Sequence, residues 1–158
     1  MTEIDAANIK LSSAFSACKR HVELLLYAKT QLSENAPFTA EFLGNARPDQ
    51  IASMDQFVFR FGRLQDTMGA QVFPAVLQLT GEYKPESTFI DRLNALEKFG
   101  AISSAKEWQA ARYTRNKLSH DYPELVEILA ETLNEAMPQA LKLEQTLKQI
   151  EDFASRYQ

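Results

Sequence analysis

Apolar residues recur along this chain at steps of three and four, the spacing that lines up one face of an α-helix. Leu11, Phe15, Cys18, Val22 and Leu25 predict a first helix over 5–32. Asn35-Ala36-Pro37 and Gly44-Asn45-Ala46-Arg47-Pro48 then punctuate a connecting loop, with Phe38, Phe42 and Leu43 expected to tuck onto the core. Met54, Phe57, Phe61, Leu64, Met68, Val72, Val76 and Leu79 predict a second long helix over 50–80, with Pro74 kinking or splitting it. Thr88 and Asp91 form a capping-box pattern ahead of Leu93 and Leu96, and Gly100 suits the position just past that helix. Ser104 and Glu107 form a better capping box and open a fourth helix through Trp108, Ala111, Arg112, Arg115 and Leu118. Tyr122 precedes a proline and is biased out of the helical region, so this helix should end near His120 or Asp121. Pro123 suits the first position of the next helix, with Glu124 in its first turn. Val126, Leu129, Leu133, Ala136, Ala140, Leu143, Leu147, Ile150 and Phe153 continue it with one period, and Pro138 should bend it without ending it. The pattern holds no strand-like alternation and no repeat. It predicts an all-α fold, an up-down bundle of four to five long helices, with residues 1–158 as a single helical domain.

Composition adds limits. Five glycines and six prolines are too few for a turn-rich β architecture, and 24% charged with 45% apolar residues is ordinary for a folded chain. The lone Cys18 excludes an internal disulfide and reads as a small buried apolar residue. The start of the chain is acidic and lacks the apolar run of a signal peptide, and no stretch reaches the ~20 apolar residues of a membrane span. A cytoplasmic protein with no membrane partner is expected. Net charge is −4, but it is unevenly spread. Residues 88–120 hold six basic and three acidic side chains, whereas 121–158 hold three basic and eight acidic ones. The only net-basic segment ends in His120. It reads either as uneven surface charge or as an anion-attracting cleft in an acidic protein.

That segment also concentrates polar chemistry. Arg115, Asn116, His120 and Tyr122 stand together between two apolar-periodic stretches, with Arg112 and Lys117 beside them. Asn116 and His120 are four apart and nearly share a helix face, whereas Arg115 lies about 140° around from His120. Unwinding before Pro123, the reach of an arginine, or a two-fold axis in a homodimer would bring them together. A near-neutral imidazole takes or gives a proton, and a guanidinium grips a phosphate with two parallel hydrogen bonds. RNA supplies its own nucleophile in the ribose 2′-OH, so such a site needs no cofactor, and the motif offers no metal-ligand set. The same residues equally suit a structural role, with Arg115 paired to an acid and His120 capping a helix C-terminus. Elsewhere, Arg60, Arg63 and Asp66 read as a solvated ion-paired face or as a second wall of the cleft. Arg112, Lys117, Arg60 and Arg63 are the candidates for holding phosphate. Phe59, Gly62 and Phe73 lie off the main stripe, as extra core or as a face meeting another subunit. His21 reads as a surface histidine, and Trp108 as a core anchor with its N–H bonded.

Arg115-Asn116-x3-His120-x-Tyr122 resembles the motif of the HEPN superfamily, and in particular of HepT-like toxins. Asp91, Arg92, Leu93, Asn94, Glu97, Lys98, Gly100 and Ile102, followed by Trp108, resemble the run-up to that motif, and Phe61, Leu64, Gln65 and Asp66 also resemble the group. The likeness covers most of residues 50–125. It implies a homodimeric, metal-independent endoribonuclease toxin whose arginine and histidine, here Arg115 and His120 with Asn116, line a cleft at the dimer interface. It implies as partner a small nucleotidyltransferase antitoxin that adenylylates the motif tyrosine, here Tyr122. The superfamily also contains non-catalytic chains that bind substrate or nucleotide for a nucleotidyltransferase, which is the alternative expectation.

Overall fold

A computed structural model describes residues 2–119 and 124–157. Among these residues the chain is all-α, with no strand. The first helix, α1, spans Glu3–Leu32, and the connection after it carries a 3-10 turn at Ser33–Asn35 and a short helix, α2, at Ala40–Gly44. Helix α3 (Pro48–Thr67) runs through a π turn at Met68–Val72 into α4 (Phe73–Leu79). Helices α5 (Phe89–Lys98), α6 (Ala105–Ser119) and α7 (Val126–Ser155) follow.

The ends of these helices follow local chemistry. Thr2 caps α1 and Thr88 caps α5, each accepting from the backbone of an aspartate three residues on, and that aspartate accepts in return from the threonine N–H. Ser104 accepts from Glu107 N–H at the start of α6, while the Glu107 carboxylate pairs with Lys142 on α7 instead of closing a reciprocal box. Gly81 (φ 74°) and Gly100 (φ 81°) adopt the left-handed region after α4 and α5. At Gly100 the turn closes with Gly100 N–H to Glu97 O and Ala101 N–H to Leu96 O, the paired bonds that satisfy the last carbonyls of a helix.

Two prolines resolve differently from a simple break. Pro74 offers no N–H to the preceding turn, and just before it the backbone widens so that Phe73 N–H bonds Met68 O. The stretch expected as one helix kinked or split at Pro74 is thus divided by the π turn into α3 and α4. Pro138 lies inside α7, which continues to Ser155. The start of α7 differs from expectation. Leu125 is extended (φ −80°, ψ 124°) and Val126 is the first helical residue, so Glu124 precedes the helix instead of joining its first turn. Leu129 and Ala130 are the first α7 residues to be buried, so only from there does packing favour the helix. Pro123 itself, like the expected end of α6 at His120 or Asp121, lies outside the described residues.

The core follows the apolar stripes. Helix α1 packs along α3 and α4 and touches α7, α6 packs on both α3 and α7, and α5 contacts α4 and α6. Phe57, Phe61, Leu64 and Met68 are fully buried in one apolar cluster with Leu11, Cys18 and Leu25 of α1. Burial holds the Cys18 thiol up at about 12, so it stays a thiol at neutral pH. Phe73 is fully buried too, edge-on to Trp108 at 4.7 Å and stacked with Phe89 at 6.4 Å, so it belongs to the core and not to a second apolar face. Trp108 is buried as expected, but its indole N–H meets no acceptor among the described residues; the aromatic packing around it supplies none. Phe38 is buried, and both its backbone groups bond the Asn134 side chain (2.7 and 2.9 Å), which ties the connection to α7. No helix among the described residues is long and apolar enough to cross a membrane.

Candidate functional site

A cleft of about 330 Å³ opens between α3 and α6, lined by Asp55, Val58, Phe59, Gly62, Arg63 and Asp66 on one wall and Arg115 and Ser119 on the other. The α3 residues fall at steps of three and four, so one edge of the helix supplies the whole wall. Arg112, Arg115 and Ser119 repeat the same steps on α6. Gln65, fully buried, donates to the backbone carbonyl of Ala111 at 3.1 Å and ties α3 to α6 behind the cleft. At Gly62 no side chain separates the two helices. A methyl group there would sit 3.5 Å from Ser119 Oγ and 3.6 Å from Arg115 Nε, at ordinary contact distance. Gly62 thus faces α6 of the same chain, with room there for a methyl group.

Asp66 is the hub of the cleft. Its carboxylate accepts from Arg115 Nη2 at 2.7 Å and lies 3.9 Å from Arg112 Nη1. Arg115 also donates to Asn116 Oδ1 at 3.3 Å. Its side chain is only 13% exposed while the Asp66 carboxylate remains 38% exposed, so the guanidinium is held from inside and the acid faces the opening. Arg112 rests on the Phe89 ring, 5.6 Å from its centroid. Arg115, Arg112 and Asn116 are therefore brought together. The Asp66 carboxylate also realises the ion-paired alternative for Arg115.

The other candidates separate. Arg63 lines the cleft, and no carboxylate among the described residues pairs with it. Arg60 turns away towards α1, where its Nη1 sits 2.9 Å from His21 Nδ1. Lys117 projects from α6 about 160° away from Arg115 and sits over the exposed Tyr113 ring, 4.9 Å from its centroid. His120 and Tyr122 lie outside the described residues.

His21 corrects the expectation of a surface histidine. It is buried, three residues after Cys18 and four before Leu25, so it continues the apolar stripe of α1 and Val22 is only partly buried. Desolvation by burial, then the charges of Arg60 and Arg63, hold its imidazole below the usual histidine range. A neutral ring lets Nδ1 accept the Arg60 N–H, which offsets the cost of burying both groups. Sequence reading also passed over Phe59, Asp55 and Ser119 as cleft residues. The signal was present, since Ser119 follows Arg115 by four and Phe59 precedes Arg63 by four. Comparison with protein-family models, curated proteins and solved structures finds no match for this chain.

Proposed function

We propose that this chain is a HEPN-like up-down helical bundle, a single domain over 1–158, acting as a metal-independent endoribonuclease toxin countered by a small nucleotidyltransferase antitoxin. The observation that carries the reading is the placement of Arg115: a motif guanidinium at the wall of an open cleft, aimed by Asp66 and Asn116, with Arg112 and Arg63 near it. A phosphodiester entering the cleft exchanges the Asp66 contact for a phosphate, which a guanidinium grips with two parallel hydrogen bonds. In the proposed reaction His120 takes the proton of the ribose 2′-OH as that oxygen forms a bond to phosphorus. The bond from phosphorus to the 5′-oxygen breaks, the leaving oxygen gains a proton from solvent, and a 2′,3′-cyclic phosphate remains. Arg115 stabilises the charge that gathers on the phosphate oxygens. The Asp66–Arg115 pair also supports a second reading, in which the arginine is structural and the chain is a non-catalytic substrate- or nucleotide-binding subunit of a nucleotidyltransferase. Cleavage of RNA by the purified protein separates the two, and the size of the mutational effect is argued in the Discussion.

The proposed active form is a homodimer in the cytoplasm, with the motif face of each chain directed at the other. Light scattering at micromolar concentration is expected to give twice the 17.9 kDa chain mass. A monomer at that concentration would remove the composite site and leave each Arg115 with its own His120 only.

Tyr122 is the proposed point of control. Adenylylation there adds phosphate charge and bulk to the motif that is proposed to bind RNA, which repels and occludes it. Incubation with the partner and ATP, followed by intact mass and peptide mapping, is expected to place one nucleotide on Tyr122 and to leave Tyr122→Phe unmodified and active. Label on another residue, together with continued inhibition of Tyr122→Phe, rejects this site.

A further inference from the structure

Phe59 is out of place for an ordinary packing residue. Its ring is 55% exposed although it stands on α3 between the fully buried Phe57 and Phe61. It lines the cleft one helical turn before Arg63, across from Arg115. The Arg60 guanidinium lies 5.2 Å from the centroid of the same ring, and Arg60 is itself fixed by the buried His21. A core contact thus braces an exposed aromatic at the mouth of a cleft that holds guanidiniums. The arrangement sets a flat apolar ring beside Arg63 and Arg115, the pairing of aromatic and cationic groups that grips single-stranded nucleic acid.

We propose that Phe59 is a base-stacking subsite: an unpaired nucleobase next to the scissile phosphate lies on its ring while Arg63 holds an adjoining phosphate. This inference rests on the ribonuclease reading of the same cleft. Charge favours RNA as what lies on Phe59 and Arg63, with the second copy of the proposed dimer bordering the cleft and not filling it. Arg63, which lines the cleft, has no carboxylate partner among the described residues, and RNA brings a phosphate to it. A second copy brings the same unneutralised guanidinium. The cleft volume, about 330 Å³, is at the lower end of ligand-sized sites, so it suits one nucleotide unit and not a duplex.

The test is steady-state cleavage of a single-stranded RNA oligonucleotide by the full chain and its Phe59 variants, each checked by circular dichroism and light scattering. Stacking is worth about 1–3 kcal/mol per base on alanine substitution, so Phe59→Ala is expected to lower kcat/KM by roughly 5- to 150-fold, carried by KM. Phe59→Leu, which keeps apolar bulk without a flat ring, is expected to behave like alanine, and Phe59→Trp to recover most of the loss. An abasic nucleotide moved through the oligonucleotide is expected to weaken wild type at one position and to cost nothing further there in Phe59→Ala. A wild-type KM in Phe59→Ala, full recovery by leucine, or an abasic scan with no such position overturns the subsite while the ribonuclease reading stands. A Phe59→Ala chain that turns from dimer to monomer assigns the ring to the contact between copies and also overturns it. A wild-type chain that neither cleaves nor binds the RNA removes both readings.

Discussion

Replacing His120 with alanine is expected to lower RNA cleavage by about 10²–10⁴-fold, and replacing Arg115 with alanine by about 10²–10³-fold. The first figure is the usual worth of a positioned proton acceptor, and the second that of one preorganised charge-stabilising donor. Arg115→Lys is expected to rescue little. The wild-type side chain reaches Asp66 through Nη2 and Asn116 through Nη1, so its plane is fixed by two partners. An ammonium offers a point charge and cannot reproduce that fork on a phosphate. Arg115→Ala should not unfold the protein: Asp66 keeps Arg112 as a neighbour at 3.9 Å, and Trp108, Ala111 and Leu118, which share the α6 stripe with Arg115, stay buried. Chelation by EDTA is expected to leave the rate unchanged, because in this mechanism the substrate's own hydroxyl attacks. The measurement is cleavage by purified wild type and variants in EDTA, with end-group analysis for the cyclic phosphate and circular dichroism for folding. A folded His120→Ala that cleaves as fast as wild type, or cleavage that requires added Mg²⁺, rejects the toxin mechanism in favour of the binding-subunit reading.

Much of the helical order could be read in the sequence because periodicity and caps are local. Thr88 with Asp91, Ser104, and Gly100 mark their helix ends through residues at most three positions away. What could not be read depends on which helix faces which. His21 looked like a polar residue beside the α1 stripe, and only the approach of Arg60 from α3 makes its burial tolerable. Gly62 looked available to another subunit until α6 came to lie against it. Trp108 was expected to find an acceptor, yet it is buried edge-on to Phe73 and its N–H meets none among the described residues. Half of the candidate site was legible for the same reason. Arg112, Arg115 and Asn116 are near in sequence and stay near in space. Their link to Asp66 spans α3 and α6, and spacing along either helix leaves open whether Asp66 faces a motif arginine or solvent.

Phe73→Ala is expected to destabilise the fold by about 3–5 kcal/mol. For a domain of this size each kcal/mol shifts Tm by about 2–4 °C, so a fall on the order of 6–20 °C is expected. The size of the effect follows from position. Phe73 opens α4, directly after the π turn, and is fully buried between Trp108 of α6 and Phe89 at the head of α5. Truncation leaves a void bordered by two rings that are themselves anchored in different helices, so neither can collapse into it without moving its backbone. Phe89 also carries the Arg112 guanidinium, so a shift of that ring disturbs the arginine nearest Asp66 after Arg115. The control is Phe59→Ala, the same chemical change at an exposed ring that loses only its contact with Arg60, where the cost should stay within about 1 kcal/mol. Thermal and urea unfolding of both variants measure the contrast. Equal midpoints for Phe73→Ala and wild type would mean that the α4–α5–α6 junction is not packed around this ring, and the positioning of α6 against α3 would need another source.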